Sequence, residues 1–253
     1  MAYYTGNALY DYLSTCKNKD NFYWASGNLW MLVYGDDNHN PRVLTVVSGN
    51  ELNTPITEYE KRALQVATEL VSGSDLPLNF IRFDPNHTIT SVQYWEYKGS
   101  PMEQLEVISS DVLRERFGKF GLSLNSKVAQ KSINDRSSSP YHDWQRTHLG
   151  SSVTVADIDL IRLVGRKPKE IIELKRSRIE LEKWTPYKPD YHNIILISKL
   201  AVKISLDFYI VYNYRRKEPF LDDVSKLKVF KFDHRKGEAC RLVGYKTIQQ
   251  FAN

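Results

Sequence analysis

The chain has 253 residues, 42% hydrophobic and 26% charged, the balance of an ordinary globular protein with a sizeable core. No run approaches the roughly twenty apolar residues of a membrane span; the best candidate, Ile194 to Tyr212, is broken by Lys199, Lys203 and Asp207. The net charge of +5 divides unevenly: residues 1–110 carry an acidic excess and residues 111–253 a larger basic one, which suggests a polyanion contact confined to the C-terminal part.

The opening Met1-Ala2-Tyr3-Tyr4-Thr5 lacks the basic-then-apolar layout of a secretory leader. Cys16 and Cys240 are too few for a disulfide framework or a zinc site, so each reads as a reduced thiol. The expected setting is the cytoplasm, without membrane contact.

In chain order, Leu29–Tyr34 and Arg42–Val47 read as strands paired across Gly35-Asp36-Asp37-Asn38. A helix follows from Glu58 to about Val71, opened by the capping box Thr57-Glu58-Tyr59-Glu60. Leu76–Phe83 and Ser91–Tyr97 read as strands. Asp111 to Phe120 reads as a short helix with Val112, Leu113, Phe117 and Phe120 on one side. The polar, serine-rich tract 123–140 reads as a linker between an N-terminal α/β domain, 1–122, and a second domain, 141–253.

In the second domain, Tyr141 to Arg146 is helix-compatible. Val153–Leu163 and Glu170–Lys175 read as a hairpin around Gly165-Arg166-Lys167-Pro168. An amphipathic helix follows at about 190–204, then strands Leu206–Tyr214 and Leu227–Phe232. The two halves therefore repeat one order of elements, and similar spacings separate Val47 from Leu76 and Lys175 from Leu206. Superimposed on those spacings, Glu173 and Lys175 fall on Thr45 and Val47. The N-terminal half then reads as a degenerate, non-catalytic duplicate.

The chemistry concentrates in Asp157-Ile158-Asp159-Leu160 and Glu173-Leu174-Lys175. Side chains on a strand alternate faces, so Asp157 shares a face with Asp159, and Glu173 with Lys175. Ile158, Leu160, Ile172 and Leu174 point the other way. A hairpin centred on Arg166 sets Asp159 opposite Glu173 and Asp157 opposite Lys175, and opposed Cβ atoms lie about 4.5–5.5 Å apart. Three carboxylates and an ammonium on one patch suit a hard cation such as Mg²⁺, which prefers oxygen ligands. Such an ion polarises a phosphoryl oxygen and acidifies a bound water, while a neighbouring lysine offsets charge in the transition state. A surface salt-bridge ladder is the competing interpretation. It rarely stacks three acids against one lysine, because uncompensated like charges repel.

At these residues the chain resembles the PD-(D/E)XK superfamily, the restriction-endonuclease-like nucleases. That family places an Asp on one strand and Glu/Asp-x-Lys on the next, followed by a helix. The likeness covers about 140–235 and implies an α/β fold with an αβββαβ core in the C-terminal half. It implies that Asp159 is the signature acid, Glu173 the second acid and Lys175 the signature lysine. The metal ligands would be Asp159, Glu173 and the Leu174 carbonyl, with Asp157 as a further or alternative ligand. Neither Asp follows a proline, a departure the family tolerates. The implied activity is Mg²⁺-dependent endonucleolytic cleavage, with Mn²⁺ substituting and DNA favoured over RNA, in restriction, phage defence or repair. An RNA-cleaving nuclease of the same fold and a non-catalytic nucleic-acid-binding module are the alternatives, and a homodimer is compatible with each.

Lys167, Lys169, Arg176, Arg178 and Lys183 flank the motif as candidate phosphate contacts. Trp184, Tyr187 and Tyr191 are candidate stacking residues, though core packing is the commoner use of aromatics at helical spacing. Asp143 is a candidate fourth acid from the preceding helix, whereas His142 and His148 fit no metal-ligand spacing. A second Glu-x-Lys, Glu96-Tyr97-Lys98 with Asp84 upstream, lies outside any such hairpin and reads as structural.

Overall fold

The computed structural model describes residues 7–99, 104–129, 139–187, 191–218 and 220–253. Half of the serine-rich tract (130–138), the first residue of the helix expected at 190 and the opening pentapeptide lie outside the described residues.

The first run of elements is α1 (Ala8–Thr15), β1 (Phe22–Tyr23), β2 (Leu29–Gly35), β3 (Pro41–Gly49), α2 (Glu58–Val71), β4 (Leu78–Phe83), β5 (Ser91–Glu96), β6 (Glu106–Ser109) and α3 (Ser110–Lys119). The second is α4 (Pro140–His148), β7 (Thr154–Asp157), β8 (Leu160–Val164), β9 (Lys167–Ser177), α5 (Tyr191–Lys203), β10 (Asp207–Lys217), β11 (Phe220–Phe232), β12 (Cys240–Thr247) and α6 (Ile248–Ala252). The order αβββαβββα thus occurs twice, and the protein is mixed α/β. Among the described residues, no helix is long and apolar enough to cross a membrane.

Two six-stranded sheets form, in the orders β7-β2-β3-β4-β5-β6 (the N-sheet) and β1-β8-β9-β10-β11-β12 (the C-sheet). In each, the third and fourth strands run parallel and the other neighbours antiparallel. The sheets exchange an edge. β1, from the first run, pairs with β8, while β7, from the second, pairs with β2. The boundary expected at 123–140 therefore separates the two repeats in sequence but not the two sheets.

Helices α2 and α5 lie between the sheets, each touching both, in a shared core that includes Leu44, Leu78, Phe80, Ile171, Phe208 and Ile210. The outer face of the N-sheet is covered by α3 and α4 through Leu113, Phe117, Tyr141 and Trp144. The outer face of the C-sheet is covered by α1 and α6 through Leu9, Leu13, Ile248 and Phe251. The capping box that opens α2 is formed, and its Glu60 is also buried against Arg82 at 3.1 Å.

Matching inner faces fixes how the repeats correspond. Ile171 pairs with Phe208 as Leu44 pairs with Leu78, and all four face the shared core. On that frame the counterparts of Asp159, Glu173 and Lys175 are Met31, Val46 and Ser48, one residue from the sequence-based superposition on Thr45 and Val47. The earlier choice fails because Val47 packs on the outer face, and a one-residue slip flips every side chain. Either way the first repeat lacks the charged set.

The β8–β9 hairpin closes through Gly165 and Arg166, both at positive φ (57° and 69°), the two-residue turn whose twist suits paired strands. An irregularity between Arg162 and Leu163 then restores the expected register, with Ile161 opposite Ile171 and Leu160 opposite Ile172.

Because the shared core and both edge strands need contributions from each repeat, chains 1–122 and 123–253 expressed apart should each lack cooperative thermal unfolding. Mixing them should restore one cooperative transition. Cooperative unfolding of either fragment alone, followed by circular dichroism, would contradict the exchange.

Candidate active site

The crossing between sheets occurs at Ile158 and Asp159. Asp157 ends β7 in the N-sheet, opposite Leu32, and the Ile158 N–H still donates to the Met31 carbonyl at 2.9 Å. β8 begins in the C-sheet at Leu160. Asp157 and Asp159 are therefore not successive residues of one hairpin strand, and Asp157 is exposed rather than paired with Lys175. That corrects the expected placement. The sequence carries no glycine or proline at the break to announce it.

Asp159 itself lies at the end of the β8–β9 ladder, where β8 turns away and leaves the Leu174 N–H without a strand partner. The Asp159 carboxylate takes that N–H at 2.7 Å. Beyond it, Glu173 and Lys175 share the inner-facing side of β9 with Ile171 and pair with each other at 2.9 Å, both side chains largely buried. Leu174 alternates onto the outer face and packs with Leu160 and Ile172, as expected.

The carboxylates are close enough to feel one another. Burial pushes the Asp159 carboxyl well above the ordinary value of 3.8, and the charges of Glu173 and then Asp157 push it further. The Leu174 N–H and the Lys175 ammonium act in the opposite direction. Three acids thus crowd one half-buried point, and like charges so placed repel unless one of them takes up a proton.

The sequence reading missed Tyr10. Its hydroxyl, carried on α1 from the first repeat, donates to the Asp159 carbonyl at 2.7 Å, and its ring stacks on Trp24 at 5.0 Å. Burial, then Asp159, Asp157 and Glu173, raise its own pKa well above 10.0. The signal was present in the cap Asn7 followed by Leu9 and Leu13 one turn apart, which is a short amphipathic helix. Because of the exchange, the helix beside the site is α1. The expected contributor, α4, packs on the other sheet, where exposed Asp143 pairs with Arg146 at 3.0 Å; Asp143 is not part of this cluster.

The other sequence candidates separate clearly. Arg176 reaches Asp222 at 3.0 Å, and Arg215 holds the same buried carboxylate at 2.6 Å. Lys167, Lys169 and Arg178 are exposed, and Lys183 pairs with Glu180 on the surface. Trp184 is core, stacked on Tyr212 at 4.2 Å, and Tyr191 packs edge-on against Phe232, while Tyr187 is exposed. His142 bonds Ser139 and His148 bonds the Trp144 carbonyl. Asp84 turns back onto His87 while the Tyr94 hydroxyl donates to Glu96 at 3.3 Å, so among the described residues the second Glu-x-Lys gathers no acid cluster.

The donor chemistry here is all oxygen, as a hard divalent ion requires. Among the described residues, no three acidic, histidine or cysteine side chains stand in ready-made ligating geometry. Glu173 would have to give up its contact with Lys175 to ligate. No family model, curated protein or solved structure matches the chain.

A carboxyl whose folded pKa is raised gives stability that is full below the unfolded value and lost as pH rises through the folded one. In EDTA, the melting temperature of the wild type should therefore fall, relative to Asp159→Asn, as pH is raised from about 4 through neutrality. The asparagine keeps an acceptor for the Leu174 N–H. Parallel pH profiles for the two proteins would contradict the crowding at Asp159.

Proposed function

We propose that the chain is a metal-dependent nuclease hydrolysing phosphodiester bonds, with DNA the favoured substrate. Its centre lies on the second repeat, which we take as a restriction-endonuclease-like core. One observation carries the reading. Asp159 lies half-buried at a strand end, where desolvation, then Glu173 and Asp157, raise its pKa, with Lys175 beside Glu173, just ahead of a helix and a parallel strand.

In this reading Asp159, Glu173 and the Leu174 carbonyl would hold Mg²⁺ or Mn²⁺, with Asp157 as a peripheral ligand. The ion would supply a polarised phosphoryl oxygen and an acidified water. The protein's own residues do the rest. Tyr10 and the Leu174 N–H fix Asp159 from its backbone and its carboxylate. Lys175, released from Glu173 when that acid ligates, offsets negative charge gathering on the phosphoryl oxygens in the transition state. Arg176, Arg178 and Lys183 at one end of β9, with Lys167 and Lys169 at its other end, are the proposed phosphate contacts. The free thiols of Cys16 and Cys240 support a reducing, cytoplasmic setting.

The competing use of the same geometry is structural, since Asp159 satisfies a ladder N–H and Glu173 a lysine. Cleavage assays separate the two. Supercoiled plasmid, linear duplex, single strands and structured RNA are incubated with Mg²⁺ or EDTA. Lys175→Ala should lower the metal-dependent rate by on the order of 10²–10³-fold while leaving binding nearly intact. Glu173→Gln should abolish cleavage and hold or tighten binding in EDTA, because one charge repelling the phosphate is gone. Wild-type turnover in either variant, or no cleavage by the parent chain with Mg²⁺ or Mn²⁺, would defeat the reading.

The first repeat is taken as catalytically silent, its Met31, Val46 and Ser48 standing where the second has Asp159, Glu173 and Lys175. Glu96→Ala and Lys98→Ala should leave the rate within a few-fold. A loss comparable to that of Lys175→Ala, with melting unchanged, would move the centre to the first repeat.

A further inference from the structure

Away from the carboxylates, cationic groups from both repeats collect where the β2–β3 turn meets α5. A pocket of about 460 Å³ opens there, and Asn40, Arg42, Lys199, Lys203 and His234 supply its polar wall. No carboxylate is among its lining residues. Two of the cations are balanced from outside the pocket. Arg42 uses Nε and Nη2 on Asp36, and Lys203 pairs with Asp75 at 2.5 Å. Lys199 is different. Its ammonium is held at 2.8 Å by the Asn38 carbonyl and at 2.9 Å by Asn40 Oδ1, both neutral, and among the described residues it has no carboxylate partner.

The hydrogen-bond inventory gives the pocket a sign. Asn40 turns its Oδ1 to Lys199 and donates from its Nδ2 to Asp36, which fixes the amide against both. Lys199 keeps one N–H beyond the two it uses, and Arg42 keeps Nη1. Ser198 Oγ engages His234 at Nδ1 and at the backbone N–H, which leaves Nε2 as the ring atom without a partner among the described residues. Lys199 is thus the cation of the pocket wall held by neutral acceptors, anchored in place by the turn it bonds. A pre-positioned ammonium with further N–H donors beside it suits a tetrahedral oxyanion.

We propose that this pocket is a phosphate-binding site, taking either a phosphate of a nucleic acid or a free phosphate ion. Lys199 is its principal charge, and Arg42 Nη1 and His234 Nε2 are its further ligating atoms. The site is independent of the carboxylate cluster and of whether that cluster is catalytic.

Calorimetric titrations of the full chain in low salt test this. Three probes are used: inorganic phosphate, a short 5′-phosphorylated oligonucleotide, and the same oligonucleotide without the terminal phosphate. Saturable binding of phosphate, or of either oligonucleotide, should weaken at least tenfold in Lys199→Gln and be unchanged in Lys61→Gln, which removes an exposed charge elsewhere. Displacement of an oligonucleotide by phosphate assigns the site to nucleic acid, and binding of phosphate alone assigns it to a free ion. His234→Gln, which perturbs no ion pair, gives a second reading should Lys199→Gln melt early, and it too should weaken binding. Absence of saturable binding by all three probes would overturn the proposal, as would affinities unchanged in both pocket variants.

Discussion

The structure depends on what happens at two consecutive residues. The Ile158 N–H closes a hydrogen bond in the N-sheet, and the Asp159 carboxylate closes one in the C-sheet by taking the Leu174 N–H. A buried backbone donor left without a partner costs on the order of 1–3 kcal/mol. The crossing strand therefore needs an acceptor at this position, and a short carboxylate or amide side chain supplies it. Through this junction the second repeat lends β7 to the first repeat's sheet, as the first lends β1 to the second's.

The exchange also explains the composition of the site. Each lent strand comes with its helix, so α1 and Tyr10 arrive beside Asp159 from the opposite end of the chain, while α4 serves the first repeat. The cluster is thus assembled from both repeats although its acids come from one. In the first repeat, the corresponding space is filled by neutral side chains and by a buried contact between Ser48 and Glu60 at 2.7 Å, with Arg82 on the same acid. Glu60 is thereby engaged by both Ser48 and Arg82.

Much of the local structure was legible because local physics decides it. The Thr57 capping box, the apolar runs of β2, β3 and β4, and the Gly165-Arg166 turn each carry a signal within a few residues. The hairpin register was also legible near the site, as was the core placement of Trp184. The strand exchange was not. Thr154 to Asp159 alternates like one strand, and only contacts distant in sequence reveal that it is shared between two sheets. β6 and β12 escaped notice because edge strands with exposed Val107, Leu242 and Val243 lack the burial pattern that marks a strand. The repeat alignment slipped by one residue because both Val46 and Val47 are apolar, and only the face each occupies distinguishes them.

The central claim is that Asp159, crowded by Glu173 and Asp157, awaits a divalent cation. Isothermal titration of Mn²⁺ into metal-free protein, repeated in two buffers of different ionisation enthalpy, tests it directly. Saturable binding accompanied by proton release, with both lost in Asp159→Asn, is the expected result, since the ion must displace a proton from a carboxyl whose pKa is raised. Mn²⁺ binding that is absent in the wild type, or that proceeds unchanged in Asp159→Asn, would contradict it.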